Sequence, residues 1–284
     1  MKITGRTRLA GVVGHPVTQS LSPILHNAWL EAAGLDGVYV PFSVNPARFR
    51  GFLDSLRGSS VVGLNVTVPF KQLALAAAEQ ATPRALAAQA ANVIVFQEDG
   101  TLLADNTDGE GLLWAFETQA PDFDPAAGPV AIIGAGGGAM GAAAALLAAG
   151  CPEVRVLNRT VSRAQALADQ LGRQVRAHDL SETGPGLADV IAVINATSAG
   201  LSDPSAQLVS LEASPECAVI MDMTYKPLRT NFLMQGEALG RRTVDGLGML
   251  IGQARPAFEA FFGQTPSDQL NVRALALDAM ETPS

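Results

Sequence analysis

Val130-Ala-Ile-Ile-Gly-Ala-Gly-Gly-Gly-Ala-Met-Gly141 is a short apolar run that breaks into glycines and resumes as an alanine-rich segment closing at Gly150. The pattern predicts strand, tight turn and helix. Within Gly134, Ala135, Gly136, Gly137, Gly138 and Ala139, the first and third residues let the backbone turn sharply and approach a pyrophosphate. Ala139 allows close helix–strand packing, and the N–H groups at the helix start face the negative charge. A glycine turn alone is an ordinary loop feature, so its setting decides. Val154-Arg-Val-Leu157 follows at the spacing of a βαβ unit, and the residue that reads a ribose belongs at its end. That end is Asn158-Arg159-Thr160. It carries no acid for a ribose 2′-hydroxyl, but it offers Arg159, the Thr160 hydroxyl and, one helical turn on, Arg163. This set suits a 2′-phosphate, hence NADP(H) over NAD. The competing reading makes both arginines solvated charges at a helix start, a place where the helix dipole disfavours cations.

Around this unit the chain has room for about two domains in its 284 residues. Apolar residues at 48% against 16% charged describe a folded rather than a disordered chain. A formal net charge of −8 argues against a nucleic acid or an anionic membrane as partner of the whole surface. Met1 to Ala10 lacks the apolar core of a signal peptide, and Ala142 to Ala149 is too short to span a bilayer, so the expected location is the cytoplasm. Cys151 and Cys217 have no metal-ligand spacing and are expected as buried, reduced thiols; no metal is expected.

Taken in order, Leu9 to Gly14 predicts a buried strand that leads through Val17-Thr-Gln-Ser-Leu-Ser-Pro23 into a helix. Ser22 before Pro23 fits a helix N-cap. Ser20 and Ser22, flanking Leu21, also make a hydroxyl pair suited to a polyhydroxy acid. His15 and His26 are open to a catalytic or a packing role. Val38 to Val44 predicts a second strand, and Pro46 opens a helix with Phe49, Phe52 and Leu53 on one face.

In Val61-Val-Gly-Leu-Asn-Val-Thr-Val-Pro-Phe-Lys71 the strand alternation puts Asn65 and Thr67 on one side, and Pro69 is expected to begin a helix with Lys71 in its first turn. There the dipole disfavours the charged ammonium and suits Lys71 to proton transfer; the other reading is a surface lysine. Asn92 to Phe96 and Thr101 to Ala104 flank Glu98-Asp99-Gly100 as a hairpin. Asp105-Asn-Thr-Asp-Gly109 then passes from strand to helix; Asp105 or Asp108 could serve as a cap, but four polar groups in succession suggest a site.

Pro121 to Pro125 reads as a linker. Beyond the glycine turn, Ala188 to Asn195 and Ala218 to Asp222 predict buried parallel strands. Their loops, Ala196-Thr-Ser-Ala-Gly200 and Met223-Thr-Tyr-Lys-Pro227, line the expected ligand crevice, with Thr197 and Ser198 on the cofactor side. A final long helix starts after Asp245 and runs through Gln253, Phe258 and Phe262, with a last helix near Val272 to Met280.

Together these motifs resemble the shikimate dehydrogenase family over nearly the whole chain. Ser20-Leu-Ser-Pro23, Asn65-Val-Thr-Val-Pro-Phe-Lys71, Asn106-Thr-Asp-Gly109, Gly134-Ala-Gly-Gly137, Asn158-Arg-Thr160, Asn195-Ala-Thr-Ser-Ala-Gly200 and Gly246-Leu-Gly-Met-Leu-Ile-Gly-Gln253 occur in the family's order. Met140, Val93 and Lys226 depart from residues common among relatives. The resemblance implies that Ser20, Ser22, Asn65, Thr67, Asn92, Asp108 and Gln253 hold the hydroxyls and carboxylate of shikimate or 3-dehydroshikimate. It also implies that Tyr225 lies at the substrate, Gly246 and Met249 lie near a nicotinamide, and Lys71 paired with Asp108 transfers the proton. The implied fold is α/β: an N-terminal α/β substrate domain (1–109), a Rossmann-type doubly wound NADP-binding domain (110–245), and C-terminal helices (246–284) returning to the first domain. Two other readings stand beside NADPH-dependent reduction of 3-dehydroshikimate: a quinate/shikimate dehydrogenase using NAD, and a non-catalytic NADP-binding sensor. Homodimer and monomer are both left open.

Overall fold

The computed structural model describes residues 3–197 and 209–281. It divides into two compact units, Met1–Thr107 with Gln253–Ser284, and Asp108–Gly252.

The first unit strings together β1 (Arg8–Gly14), α1 (Ser22–Ala32), β2 (Gly37–Ser43), α2 (Phe49–Leu56), β3 (Val61–Val66), α3 (Lys71–Ala77), β4 (Gln80–Ala81), α4 (Pro83–Ala88), β5 (Val93–Phe96) and β6 (Leu102–Asp105). The sheet order is β2-β1-β3-β5-β6-β4. β5 runs antiparallel to β3 and β6, and the other pairings are parallel. The β5–β6 hairpin forms at the expected place: Gly100 takes φ +83°, and the Asp99 carboxylate accepts from both N and Oγ1 of Thr101. β4 and α4 carry too few residues to leave a periodic pattern in the sequence.

Two helix starts differ from expectation. Ser22 is the first residue inside α1 rather than its cap: Leu21 already has helical dihedrals, and the Ser22 side chain is buried. Ser20 Oγ accepts from Ser22 N at 3.3 Å, so Ser20 satisfies a donor at the helix start. Pro69 does not open a helix. Phe70 N donates to Thr67 O at 2.9 Å, and this turn delays α3 until Lys71.

In the second unit come α5 (Asp108–Gln119), β7 (Val130–Ile133), α6 (Gly137–Ala148), β8 (Val154–Asn158), α7 (Val161–Leu171), β9 (Val175–Asp179), α8 (Thr183–Leu187), β10 (Ala192–Asn195), β11 (Val219–Asp222), α9 (Asn231–Ala238) and β12 (Thr243–Val244). The sheet is parallel throughout, in the order β12-β11-β10-β7-β8-β9. This is the doubly wound order of dinucleotide-binding folds, with its switch point between β7 and β10. Buried aliphatic clusters cover both sheet faces. β10 begins four residues later than the apolar run suggests, because Asp189 takes φ +58° and turns the chain first. Pro121 to Pro125 is not a linker between units. Phe123 stacks on Phe116 of α5 with ring centroids 4.1 Å apart, inside the second unit.

The division between units falls within α10 (Gly246–Phe262), and α11 (Val272–Glu281) follows in the first unit. The last turns of α10 fit the first sheet because Gly63 is bare; a Cβ there would lie 2.2 Å from a Phe261 ring carbon. Arg8 donates to the carbonyls of Phe261 and Phe262, satisfying the end of that helix. Cys151 is buried as expected, but Cys217 is exposed, since it precedes the short β11 rather than lying within it. Among the described residues, no helix is long and apolar enough to cross a membrane.

Candidate functional site

In the first unit the polar candidates are wired together. Asn92 is almost fully buried at the start of β5. Its Oδ1 accepts from Thr107 N at 2.8 Å, and its Nδ2 donates to Gln253 Oε1 at 2.9 Å. Thr107 Oγ1 donates to the Gln253 carbonyl at 2.9 Å, so the Asn106–Thr107 turn and α10 are fixed against one another within this unit. On β3, Asn65 Nδ2 donates to Asn92 O at 3.3 Å, and Asn65 Oδ1 accepts from Tyr39 Oη at 2.8 Å. The Ser22 side chain lies near the same Tyr39 hydroxyl. Burial pushes that phenol well above its ordinary range, with Ser22 opposing the shift. Sequence reasoning missed Tyr39; it stands mid-strand in an apolar run and belongs to no motif.

The consequence is chemical. With Asn65 Oδ1 and Gln253 Oε1 both accepting from protein groups, these carboxamides turn N–H donors toward any ligand. Such donors suit a ligand rich in carboxylate and hydroxyl oxygens. Thr67 lies beyond Asn65 on the same side, its methyl packed where Gly14 lacks a side chain: a Cβ on Gly14 would sit 2.5 Å from Thr67 Cγ2. Lys71 is half-buried at the start of α3, and its carbonyl accepts from Ala91 N at 2.9 Å.

Asp105 anchors the turn that follows β6. Arg84 Nε donates to its Oδ1 at 2.7 Å, Thr82 Oγ1 to the same atom at 2.6 Å, and Asn106 N to it at 2.7 Å. Burial would raise the Asp105 carboxyl, but Arg84 and Thr82 outweigh it and hold the group below the usual carboxylate range. Asp105 is therefore a structural anchor and not a helix cap.

The second unit holds the remaining candidates. Gly134 takes φ +107°, and a Cβ there would meet Thr197 Cγ2 at 3.0 Å, so the turn after β7 needs glycine on two grounds. Added Cβ atoms at Gly136 and Gly137 would meet nothing within 4 Å, which leaves open space at the start of the twelve-residue α6. A bare turn under a helix N-terminus fits a pyrophosphate. Arg159 and Thr160 are exposed after the end of β8 and Arg163 in the first turn of α7, and Asn158 Nδ2 shapes the connection by donating to Thr160 O at 2.9 Å. Among the described residues neither Arg159 nor Arg163 forms an ion pair, whereas Arg155 pairs with Glu153 and Asp189. The fit to a 2′-phosphate is thus good.

At the ends of β10 and β11, Asn195 Nδ2 donates to the buried Asp222 at 3.0 Å, and Asp222 also accepts from Thr224 N at 2.9 Å and Thr230 Oγ1 at 2.7 Å. Thr197 Oγ1 donates to Asn195 Oδ1 at 2.8 Å, which turns its hydroxyl proton inward. This network ties together two loops of the crevice; the sequence reading gave no role to Asp222 or to Asn195, which only opens a motif, and two acid or amide residues ending adjacent buried strands are the signal. Ser198 lies outside the described residues. Tyr225 is half-buried, and burial raises its hydroxyl pKa. Gly246 is required by packing, since a Cβ would sit 2.4 Å from Met223 O; Met249 is a half-buried neighbour of the core. Asp108, nearly fully buried, opens α5 beside the glycine-start helix α6: Gly141 would bring a Cβ to 3.9 Å from Asp108 Cβ, and Gly109 one to 2.5 Å from Ala145 Cβ.

These features define an α/β protein with a dinucleotide-binding unit and a donor-lined polar site in its other unit. Comparison with known proteins narrows the class. The family model for the shikimate dehydrogenase substrate binding domain matches residues 12–94, and that for shikimate/quinate 5-dehydrogenase matches residues 120–223. The NADP(+) shikimate dehydrogenase of Caulobacter vibrioides is 54% identical over 97% of this chain and 96% of its own. The structure of shikimate 5-dehydrogenase from Thermus thermophilus with NADP(H) and shikimate is 36% identical, with a TM-score of 0.86 over 96% of this chain and all of that one. Quinate dehydrogenase from Corynebacterium glutamicum, in complex with NAD, is 29% identical with a TM-score of 0.86, covering 97% and 99% of the two chains. The chain belongs to the shikimate dehydrogenase family.

Proposed function

We propose that this protein interconverts 3-dehydroshikimate and shikimate with NADP(H). The observation that carries the reading is the hydrogen-bonded run Tyr39–Asn65–Asn92–Gln253, in which the Asn65 and Gln253 carboxamides keep N–H donors fit for hydroxyl and carboxylate oxygens. The Gly134–Ala139 turn would take the pyrophosphate, Arg159 with Thr160 and Arg163 the 2′-phosphate, and Gly246 with Met249 the nicotinamide side. When bound, NADPH supplies the hydride for the ketone carbon and NADP takes it back from the alcohol. The protein's part is the proton. In the reductive direction the Lys71 ammonium gives its proton to the oxygen as the carbonyl becomes an alkoxide; in the oxidative direction neutral Lys71 takes it from the hydroxyl. Asp108 orients both the hydroxyl and the ammonium. Ser20, Ser22, Asn65, Thr67, Asn92, Tyr225 and Gln253 hold the ring acid.

Arg159 and Thr160, in place of an acid at the end of β8, favour this reading over a quinate-oxidising enzyme that uses NAD. The presence of both Lys71 and Asp108 favours it over a non-catalytic sensor. Lys71→Ala is expected to lower kcat about a hundred- to ten-thousand-fold while NADP affinity stays at the wild-type value. Steady-state kinetics with fluorescence titration of the cofactor reads both, and undiminished turnover would remove Lys71 from the mechanism.

A further inference from the structure

Tyr39 lies on β2, an edge of the first sheet, yet its hydroxyl reaches Asn65 on β3, two strands away. The crossing is possible because the residues in register beside it are small: Ala10 pairs with Tyr39 on one side and with Gly63 on the other. The ring is held from several directions. Asn27 of α1 clamps the Tyr39 backbone, accepting from its N at 2.9 Å and donating to its O at 2.8 Å. His26 lies flat on the phenol, with centroids 4.0 Å apart and planes 9° from parallel. Tyr39 is fully buried, so its hydroxyl meets protein and not solvent.

The direction of each hydrogen bond can be deduced. Asn65 faces two groups, the Tyr39 hydroxyl and the Asn92 carbonyl. A carbonyl only accepts, so the nitrogen of Asn65 must face Asn92 and the oxygen must face Tyr39. Tyr39 then donates to Asn65. One N–H of the Asn65 amide is used by Asn92, and the second is the one presented outward.

We infer that Tyr39 is a positioning residue for the substrate site, locking the Asn65 carboxamide so that it offers a ligand an N–H donor. This inference rests on the assignment of Ser22 and Asn65 to a hydroxy-acid substrate, and it adds a residue that touches neither substrate nor cofactor. Without the phenol hydroxyl, Asn65 Oδ1 loses its donor and faces a hydrocarbon ring, and the 3.3 Å bond to the Asn92 carbonyl alone is left to hold the amide in place.

The test is a double-mutant cycle on the full-length chain with shikimate and NADP. Tyr39→Phe is expected to raise KM for shikimate about ten-fold, with kcat within about three-fold and cofactor Kd unchanged. Asn65→Ala is expected to raise KM as well, and Tyr39→Phe in the Asn65→Ala background to add nothing further, because Tyr39 acts through Asn65. Additive effects, or a wild-type KM in Tyr39→Phe, would overturn the inference. Asn65→Asp keeps Tyr39 and its hydrogen bond but presents an acceptor outward; it too must raise KM, and wild-type binding by this variant would equally overturn the proposed donor orientation, whether or not Tyr39→Phe folds. If wild-type protein fails to oxidise shikimate, or Asn65→Ala binds it normally, the fault lies in the substrate assignment and not in the role of Tyr39.

Discussion

His26 shows how strongly a buried environment can decide the role of one side chain. As a lone histidine within the first predicted helix it is open to catalysis; the structure instead sets it among Trp29, Tyr39, Phe258 and Phe261, with neither ring nitrogen hydrogen-bonded to any described group. Burial lowers its pKa from 6.5 to about 3, so the folded protein holds it neutral. The sign of the pH effect follows. Unfolded His26 takes up a proton below pH 6.5 and folded His26 does not until about pH 3, so this residue costs nothing above pH 6.5 and destabilises progressively between the two values. The limiting slope is about 1.4 kcal/mol per pH unit. His26→Leu should remove that component, so urea midpoints of variant and wild type should diverge as pH falls from neutrality toward 4.5. Parallel losses in the two proteins would show that His26 is protonated in the folded state too.

Elements longer than a turn were readable where chemistry or period marked them, and the segment from β6 to α5 illustrates both success and failure. The run Asp105 to Gly109 announced a site by its polar density, but nothing in the sequence said that Asp105 is occupied by Arg84 and Thr82, residues of a connection with no periodic signature. That ion pair fixes the strand end from which Thr107 and Asp108 depart. Removing one partner of a buried pair costs about 3–5 kcal/mol, but the Arg84 side chain is 39% exposed, so solvent screening reduces the expectation for Arg84→Ala to about 1–2 kcal/mol. A chemical denaturation curve measures it, and a variant as stable as wild type would show the pair to be solvent-replaceable. Elsewhere the misreadings have local causes. Pro69 lost its helix start to the Thr67–Phe70 turn, and Ser22 lost its cap role because Leu21 was already helical.

For the molecule as a whole, the glycine turn after β7 and the Asn158-Arg159-Thr160 end of β8 were legible because each is set by short-range backbone chemistry. Tyr39, Asn195 and Asp222 were not, since their significance arises only when strands distant in sequence lie side by side. The family assignment and the donor-lined polar network lead to one expectation about the intact protein: it is a shikimate-oxidising enzyme that prefers NADP. Initial rates of cofactor reduction with shikimate or quinate, each with NADP and with NAD, examine that directly. The pairing of shikimate with NADP should exceed each of the others by about ten-fold or more in kcat/KM, a difference of about 1.4 kcal/mol in transition-state stabilisation. A preference for NAD, faster turnover of quinate, or no turnover with any of the four combinations would contradict it.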